Sequence, residues 1–205
     1  MLTCPDRLAF AACLRSLTAK YEPDITRDAL TDMTAPAHAT RAELFNFLGE
    51  LGISTRTTEH AAVFTVEESE NLHRELSGAH TKNLFLKDAK GRLFLVVAEA
   101  HARIDMKALH KTLGCARLSF GKPELLAEAL GVTPGSVTAL AVINDRQHLV
   151  TVVIDADLME FDTINSHPLI NTATTNIARD DLMRFMHATG HPPHIVQLPV
   201  AAADQ

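Results

Sequence analysis

The sequence predicts a mixed α/β fold: one compact domain in which helices surround a mixed, hairpin-rich β-sheet. Segments with helical apolar periodicity alternate irregularly with short β-branched segments. Several of the predicted strands are joined by tight turns, whereas a doubly wound parallel sheet requires a regular alternation of strands and helices. With 46% hydrophobic and 21% charged residues, the 205-residue chain has the composition of a globular protein with a substantial core.

The helices are predicted from their capping signals. Thr40 with Glu43, and Thr65 with Glu68, have the spacing of capping boxes. Asp105 is suited to an N-cap, and Pro123 to a first helical turn that ends before Gly131. The predicted helices cover residues 42–51, 66–76, 105–114, 123–131 and 180–188.

The strands are predicted from alternating β-branched or continuous apolar segments. They cover residues 53–58, 83–86, 92–98, 140–143, 149–155, 161–165, 172–177 and 195–198. Residues 88–91, with the sequence DAKG, provide the turn chemistry for a hairpin between the second and third of these strands.

The first 36 residues differ from the remainder. They show no clear periodicity, hold two of the three cysteines and end in an Ala/Pro/Thr-rich stretch. We predict an N-terminal extension over residues 1–36, either poorly ordered or the result of a start assigned upstream of Met33, and one domain over residues 37–205. Acidic residues in the extension are unlike a transit peptide, the cysteines do not suggest a disulfide framework, and a cytoplasmic protein without a membrane span is expected.

Overall charge argues mildly against a general nucleic-acid binder. The chain has 25 acidic and 19 basic residues, a formal net charge of −6, whereas nucleic-acid-binding domains usually carry a basic surface. An enzyme that contacts only the end of an RNA needs no more than a local basic rim.

The most unusual segment is HTKNLFLKD at residues 80–88, which places Lys82 and Asn83 at the start of an apolar strand. Lysine is seldom fully buried unless it is paired. One interpretation is a strand-end lysine whose ammonium group reaches water. The other is an ammonium and an amide directed at a carbonyl or phosphate oxygen of a substrate.

Other candidate chemistry is weaker. Ser166 and His167 are adjacent on an extended chain and point to opposite faces, so they are not expected to form a catalytic pair. The histidines at positions 187, 191 and 194 lack the acidic or cysteine partner of a metal site. The phosphate-binding motifs GxxxxGK[ST] and GxGxxG are both absent from the sequence. The expectation is therefore neither a metal nor a cofactor.

Several segments together resemble the YbaK/prolyl-tRNA-synthetase-associated superfamily, specifically its PrdX-like branch of free-standing Ala-tRNA(Pro) deacylases. They are VFTVEE at 63–68, HTKNLFLKD at 80–88, RLSF at 117–120, VTPGSV at 132–137 and SHP at 166–168. The resemblance covers residues 40–198. It implies a compact mixed α/β domain, a metal-free site and hydrolysis of mischarged Ala-tRNA(Pro).

The resemblance also implies roles for individual residues. Lys82 and Asn83 match the family's central lysine and its asparagine neighbour. The residues implied to bind substrate are Thr65 at the pocket rim, Arg117 toward the tRNA end, Gly135 and Ser136 in a glycine-containing loop, and His167. Ala139 replaces the proline of the family's G-x-x-x-P loop, which predicts a less rigid loop.

An aminoacyl ester is already activated, so the implied reaction needs no protein nucleophile. Positioning of the ester and water, with preorganised donors at the oxyanion, would suffice; Lys82 and backbone N–H groups near Gly135 are the donors the resemblance suggests. The implied partners are aminoacylated tRNA and, transiently, prolyl-tRNA synthetase. Two alternatives remain open: a deacylase for another mischarged tRNA such as Cys-tRNA(Pro), and a non-catalytic aminoacyl-tRNA-binding or synthetase-binding module.

Overall fold

A mixed eight-stranded β-sheet forms the centre of the fold. The computed structural model describes residues 38–62 and 76–201. Within them the strands are β1 (Thr55–Glu59), β2 (Ala79–Asp88), β3 (Leu93–Glu99), β4 (Leu118–Phe120), β5 (Val150–Asp155), β6 (Thr163–Ser166), β7 (Ala173–Ala178) and β8 (His194–Val196). The strand order is β1-β7-β6-β2-β3-β5-β8, and β4 pairs with β2. Strands β2 and β6, β3 and β5, and β5 and β8 are parallel, and the other pairs are antiparallel. The mixed, hairpin-containing sheet predicted from the sequence is confirmed.

Four α-helices in the described residues begin and end close to the predicted positions. They are α1 (Arg41–Glu50), α2 (Met106–Thr112), α3 (Pro123–Leu130) and α4 (Arg179–Ala188). Thr40 and Glu43 form the reciprocal capping box before α1, and the Asp105 carboxylate accepts hydrogen bonds from two backbone N–H groups at the start of α2. The capping box at Thr65 and Glu68, and the helix predicted after it as far as position 75, lie outside the described residues.

One predicted strand is wrong. Residues 140–143 belong to a 3₁₀ helix over Ala139–Asn144, whose first turn is capped by the Thr138 hydroxyl. Ala139, Leu140, Ala141 and Val142 are all buried. A short apolar segment buried on every side has no periodicity that separates strand from helix, so the sequence pattern is ambiguous there. A second 3₁₀ helix, Ala156–Glu160, follows β5.

The two faces of the sheet carry different cores. Leu44, Leu48, Leu130 and Phe185, contributed by α1, α3 and α4, pack in the larger core with Phe85, Leu95 and Val97 of the sheet. On the opposite face, Leu86, Val96, Ala98 and Val153 form a smaller core with Leu109 of α2 and Leu198. No helix among the described residues is long and apolar enough to cross a membrane.

Candidate active site

The strands β1, β7, β6 and β2 present polar side chains on the face opposite the larger core. The register pairs Arg56 with Asn176, Asn176 with Asn165, and Asn165 with His80. Residues in register on neighbouring strands point to the same face. We call these four residues the first polar row.

A second polar row lies two residues further along β1 and β2. Thr58 pairs with Thr174, and Lys82 follows His80 on the same face of β2. His167 comes directly after β6, and one further step of the β6 register with β2 and β7 brings it level with Lys82 and Thr174. The second polar row therefore consists of Thr58, Thr174, His167 and Lys82.

Lys82 lies where this polar face meets the smaller core. It pairs across the strands with Ala98, which is fully buried, and its Nζ donates a hydrogen bond to the Ala102 carbonyl oxygen. Partial burial lowers the pKa of Lys82, while the nearby carboxylates of Glu99 and Asp155 oppose that shift. The second polar row thus ends in an ammonium group that the protein only partly shields from solvent.

Val97 pairs with Ile154 of the parallel strand β5, so the next residues, Ala98 and Asp155, lie side by side. Asp155 is therefore on the same face of the sheet as Lys82. Its side chain is buried, and Oδ1 has no hydrogen-bond partner among the described residues. Burial, followed by the charge of Asp157, raises the pKa of Asp155. Ala98 lies between the two side chains in this register, and the charge of Asp155 acts on the Lys82 ammonium.

His167 is fixed in one orientation. Its Nδ1 lies 3.0 Å from the Ala173 carbonyl oxygen. A carbonyl oxygen only accepts, so the neutral ring carries its proton on Nδ1 and leaves Nε2 as an acceptor. Burial lowers the pKa of His167, and the neutral ring is therefore the form expected near pH 7.

His60 adds a second imidazole beside His167. The centroids of the two rings are 6.4 Å apart, and His60 Nε2 lies 2.9 Å from the Thr174 hydroxyl oxygen. Sequence reasoning did not single out His60, although it stands three residues before the VFTVEE segment. Two histidines, a threonine and a lysine therefore converge at this end of the sheet, a set of groups suited to holding a polar substrate.

The comparisons with known proteins identify the family of the chain. Residues 60–185 match the family described as the aminoacyl-tRNA editing domain. The chain belongs to that family. It is 42% identical over 158 residues to prolyl-tRNA synthetase associated domain-containing protein 1 of Danio rerio, covering 76% of this chain and 86% of that protein. It is also 38% identical over 152 residues to the prolyl-tRNA editing protein ProX of Acetoanaerobium sticklandii, covering 74% of this chain and 93% of that protein.

The solved structures support the fold. One, described as a candidate trans-editing enzyme for prolyl-tRNA synthetase, superposes with a TM-score of 0.58 at 17% identity, covering 80% of this chain and 100% of that chain. The resemblance to the YbaK/prolyl-tRNA-synthetase-associated superfamily is confirmed, and the chain is a ProX-like editing domain.

Within this editing domain, the side chains of Lys82 and Asn83 do not point into the same space. They are neighbours on β2 and point to opposite faces. Asn83 faces the larger core, where its Nδ2 donates to the Thr81 hydroxyl at 3.4 Å and its Oδ1 is buried without a partner among the described residues. The backbone of β2 therefore does not direct the Lys82 ammonium and the Asn83 amide at one substrate oxygen.

The glycine-containing loop lies on the Asn83 side. Val132 is part of the larger core, Val137 packs against it, and Gly135 adopts a φ of +90°. Ser136 is buried, and its N–H donates to the Thr133 carbonyl at 2.9 Å. The flanks of the loop thus pack on the face opposite Lys82, while Gly135 lies beside Asn171 in the loop that follows His167, and no contact joins the glycine-containing loop to Lys82 among the described residues.

Arg117 also lies away from Lys82. Strand β4 pairs Leu118 with Asp88, at the far end of β2, and Arg117 is exposed just before β4. Asp88 lies six positions after Lys82 along the strand, a distance of about 20 Å. A contact of Arg117 with a more distant part of a tRNA stays a prediction, as does the role of Thr65, which lies outside the described residues.

The three C-terminal histidines, His187, His191 and His194, lie in different environments. His191 is buried, with Nε2 3.1 Å from Asp145 Oδ2, whereas His187 and His194 are exposed. In the part of the chain that the structure describes, no three His, Cys, Asp or Glu side chains are grouped so that they could hold a metal ion. His191 is best understood as the structural partner of Asp145.

Proposed function

We propose that this editing domain hydrolyses the ester bond of mischarged Ala-tRNA(Pro), releasing alanine and free tRNA(Pro). The observation that carries the proposal is the half-buried Lys82 ammonium in one polar row with the oriented His167, in a chain of the aminoacyl-tRNA editing family. Relatives named for prolyl-tRNA editing and for association with prolyl-tRNA synthetase support the choice of tRNA(Pro).

The proposed chemistry uses electrostatics and positioning. Water attacks the ester carbonyl carbon, negative charge develops on the carbonyl oxygen, and the Lys82 ammonium stabilises that charge. A donor preorganised at a developing oxyanion contributes about 3–4 kcal/mol to the barrier reduction. The tetrahedral intermediate then expels the ribose oxygen, which takes a proton released by the attacking water to give the free hydroxyl of the tRNA, while alanine leaves as its carboxylate.

His167 has a binding role in this proposal. Its Nε2 is the free acceptor of an imidazole held through Nδ1. It accepts a hydrogen bond from the α-ammonium group or the ribose hydroxyl of the substrate and fixes the ester in the attack geometry. Contacts of Asn83, Gly135 and Ser136 with the substrate stay predictions, because Asn83 points to the other face of β2, where its Oδ1 is buried without a partner among the described residues.

Selectivity against the correct product, Pro-tRNA(Pro), is proposed to be steric. Extra methylenes in an apolar pocket favour the larger amino acid by only about 1–3 kcal/mol. Attraction alone would therefore favour proline. A closely packed wall excludes the ring atoms at a similar cost and displaces the ester from its productive position.

The proposed partners are the acceptor end of an aminoacylated tRNA and, transiently, prolyl-tRNA synthetase. The cytoplasm is the proposed place of action, because the substrate is produced where tRNA is charged.

A deacylation panel of Ala-, Cys-, Ser- and Pro-charged tRNA(Pro) tests the proposal. Preferential loss of the alanyl ester, with the prolyl ester spared, is expected. Preference for the cysteinyl ester would assign the domain to another mischarged tRNA. Tight binding of charged tRNA without hydrolysis of any of the four would identify a non-catalytic binding module.

A further inference from the structure

We propose that Arg56 and the pocket beside it bind a backbone phosphate of the terminal nucleotides of the tRNA. This inference rests on the proposed function, because it assigns a second contact for the same substrate. The pocket has a volume of about 170 Å³ and is lined mainly by Arg56, Thr58, Ser77, Asn165, Thr174 and Asn176. Its lining includes one cationic side chain and the hydroxyl groups of Thr58 and Ser77, which are donors suited to an anion that carries several acceptor oxygens.

The floor of this pocket is preorganised. Asn176 Nδ2 donates to Asn165 Oδ1 at 3.0 Å, and the Nδ2 groups of Asn165 and Asn176 both donate to the Ser77 carbonyl, at 2.9 and 3.0 Å. Asn165 is buried, and its amide orientation is set by these bonds. The two amides therefore form a fixed surface beside the Arg56 guanidinium, and both N–H groups of Asn176 are used within that surface.

Arg56 is exposed and makes no ion pair with any other described residue. In contrast, Arg41, Arg92, Arg179 and Arg184 each lie within 4.0 Å of a carboxylate. In a chain with a formal net charge of −6, a guanidinium left without a carboxylate at the edge of a polar pocket is available for an external anion. Guanidinium groups bind phosphate with paired N–H donors.

The position of Arg56 relative to Lys82 fits one continuous substrate. Both side chains point to the same face, with β7 and β6 between β1 and β2, and Lys82 lies one polar row beyond Arg56. Three strand spacings and a two-residue step correspond to about 15–16 Å between the two Cα atoms. The terminal nucleotides of an RNA strand can bridge a span of this size.

The chemistry of the substrate identifies the group that would occupy the pocket. The amino acid of an aminoacyl ester carries a positive α-ammonium group, which a guanidinium repels. The phosphodiester groups carry the negative charge of the molecule. An ester carbonyl at Lys82 and a phosphate at Arg56 therefore place an acceptor oxygen of the substrate against each of the two cations.

The experiment compares two substrates with the full chain: Ala-tRNA(Pro) and the alanyl ester of adenosine, which has no phosphate. Arg56→Ala is expected to raise KM for Ala-tRNA(Pro) at least about tenfold, the scale of one charge-assisted contact, with kcat nearly unchanged. Activity on alanyl-adenosine is expected to stay at the wild-type level, and Arg56→Lys is expected to recover part of the lost affinity.

Arg146→Ala is the matched control. Arg146 is exposed in the turn before β5, and β5 begins opposite Leu93, at the end of the sheet away from Lys82. No change in either substrate is expected for this variant. In addition, Arg56→Ala should make the log–log salt slope of tRNA binding shallower by about 0.7, the contribution of one phosphate on a single strand.

Two results would overturn the inference: an equal loss on both substrates, or an unchanged KM and salt slope for Ala-tRNA(Pro). Failure of the proposed function is a different result, since the wild type would then hydrolyse neither substrate. In that case, binding of an uncharged oligonucleotide ending in CCA still tests the phosphate contact of Arg56. Weaker binding by Arg56→Ala than by the wild type supports the phosphate contact, and equal binding excludes it.

Discussion

Replacement of Lys82 by alanine is expected to lower kcat/KM for Ala-tRNA(Pro) deacylation at least about a hundredfold. The structure leaves one ammonium group in the second polar row, and the proposed chemistry assigns it to the developing oxyanion. Loss of one such donor costs about 2.7–4 kcal/mol of transition-state stabilisation, which corresponds to about 10²–10³ in rate. Because the contact is made chiefly in the transition state, the loss should appear in kcat more than in KM.

Lys82→Met separates charge from packing. Methionine retains an apolar stem next to Ala98 but carries no ammonium group, so the same loss of activity is expected as for Lys82→Ala. Since burial lowers the pKa of Lys82, the folded state disfavours its protonated form, and removing the charge should leave thermal stability unchanged or slightly raised.

Lys87 provides a matched control on the same strand. It is exposed and lies five residues further along β2, on the opposite face from Lys82. Lys87→Ala should hydrolyse Ala-tRNA(Pro) at the wild-type rate in a single-turnover assay. Near-normal turnover by Lys82→Ala, or an equal loss in both variants, would refute the assignment of Lys82 to the reaction.

The remaining predictions concern the scaffold, the loop and the extension. Asp145→Ala removes a buried partner of His191 and the acceptor of two backbone N–H groups, and should lower the free energy of unfolding by about 3–5 kcal/mol in urea titrations. This loss of stability should shrink as the pH falls through the lowered pKa of Asp145, because the carboxylate stabilises the fold only while it is ionised. A loss of stability that does not change with pH would contradict this prediction. Ala139→Pro should reduce kcat/KM for Pro-tRNA(Pro) or leave it unchanged, since Ala139 begins a 3₁₀ helix after an extended residue, and proline fits such a position; faster cleavage of the prolyl ester would contradict this. A chain that begins at Met33 should hydrolyse Ala-tRNA(Pro) normally, and a loss of more than about 1–2 kcal/mol of stability, a large share of a typical folding free energy, would show that the first 32 residues pack on the domain.

Helix positions could be predicted well because their signals are local. The capping box of Thr40 and Glu43 and the N-cap at Asp105 are made by residues within three positions of each other. Gly131 ends α3 with a φ of +64°, a conformation that glycine adopts without strain. Such signals are readable without knowledge of the fold. Residues 139–144 lack a decisive signal of this kind, and the strand predicted from their apolar run is wrong.

The composition of the site was less predictable because it depends on pairing between distant segments. Arg56 joins Asn176 only through the β1–β7 register, which links positions more than a hundred residues apart, and Asn165 then joins through the β7–β6 register. The alternation in β1 does place Arg56 and Thr58 on one face, but it does not indicate what lies beside them. In contrast, the divergence of Lys82 and Asn83 follows from the two-residue period of a strand and could have been recognised from the sequence alone.

The position of Lys82 also explains how one strand serves both folding and function. Along one face of β2, His80 and Lys82 belong to the polar rows, whereas Leu84 and Leu86 pack with the smaller core. The apolar half anchors the strand in the sheet, so Lys82 is held on a rigid element rather than on a loop. The same boundary desolvates its ammonium group, while Glu99 and Asp155 act against deprotonation. A cation that is partly dehydrated yet kept charged interacts more strongly with a developing oxyanion than one in bulk water, because the local dielectric is lower. The transition from polar to apolar residues along β2 is therefore what gives this lysine its proposed catalytic character.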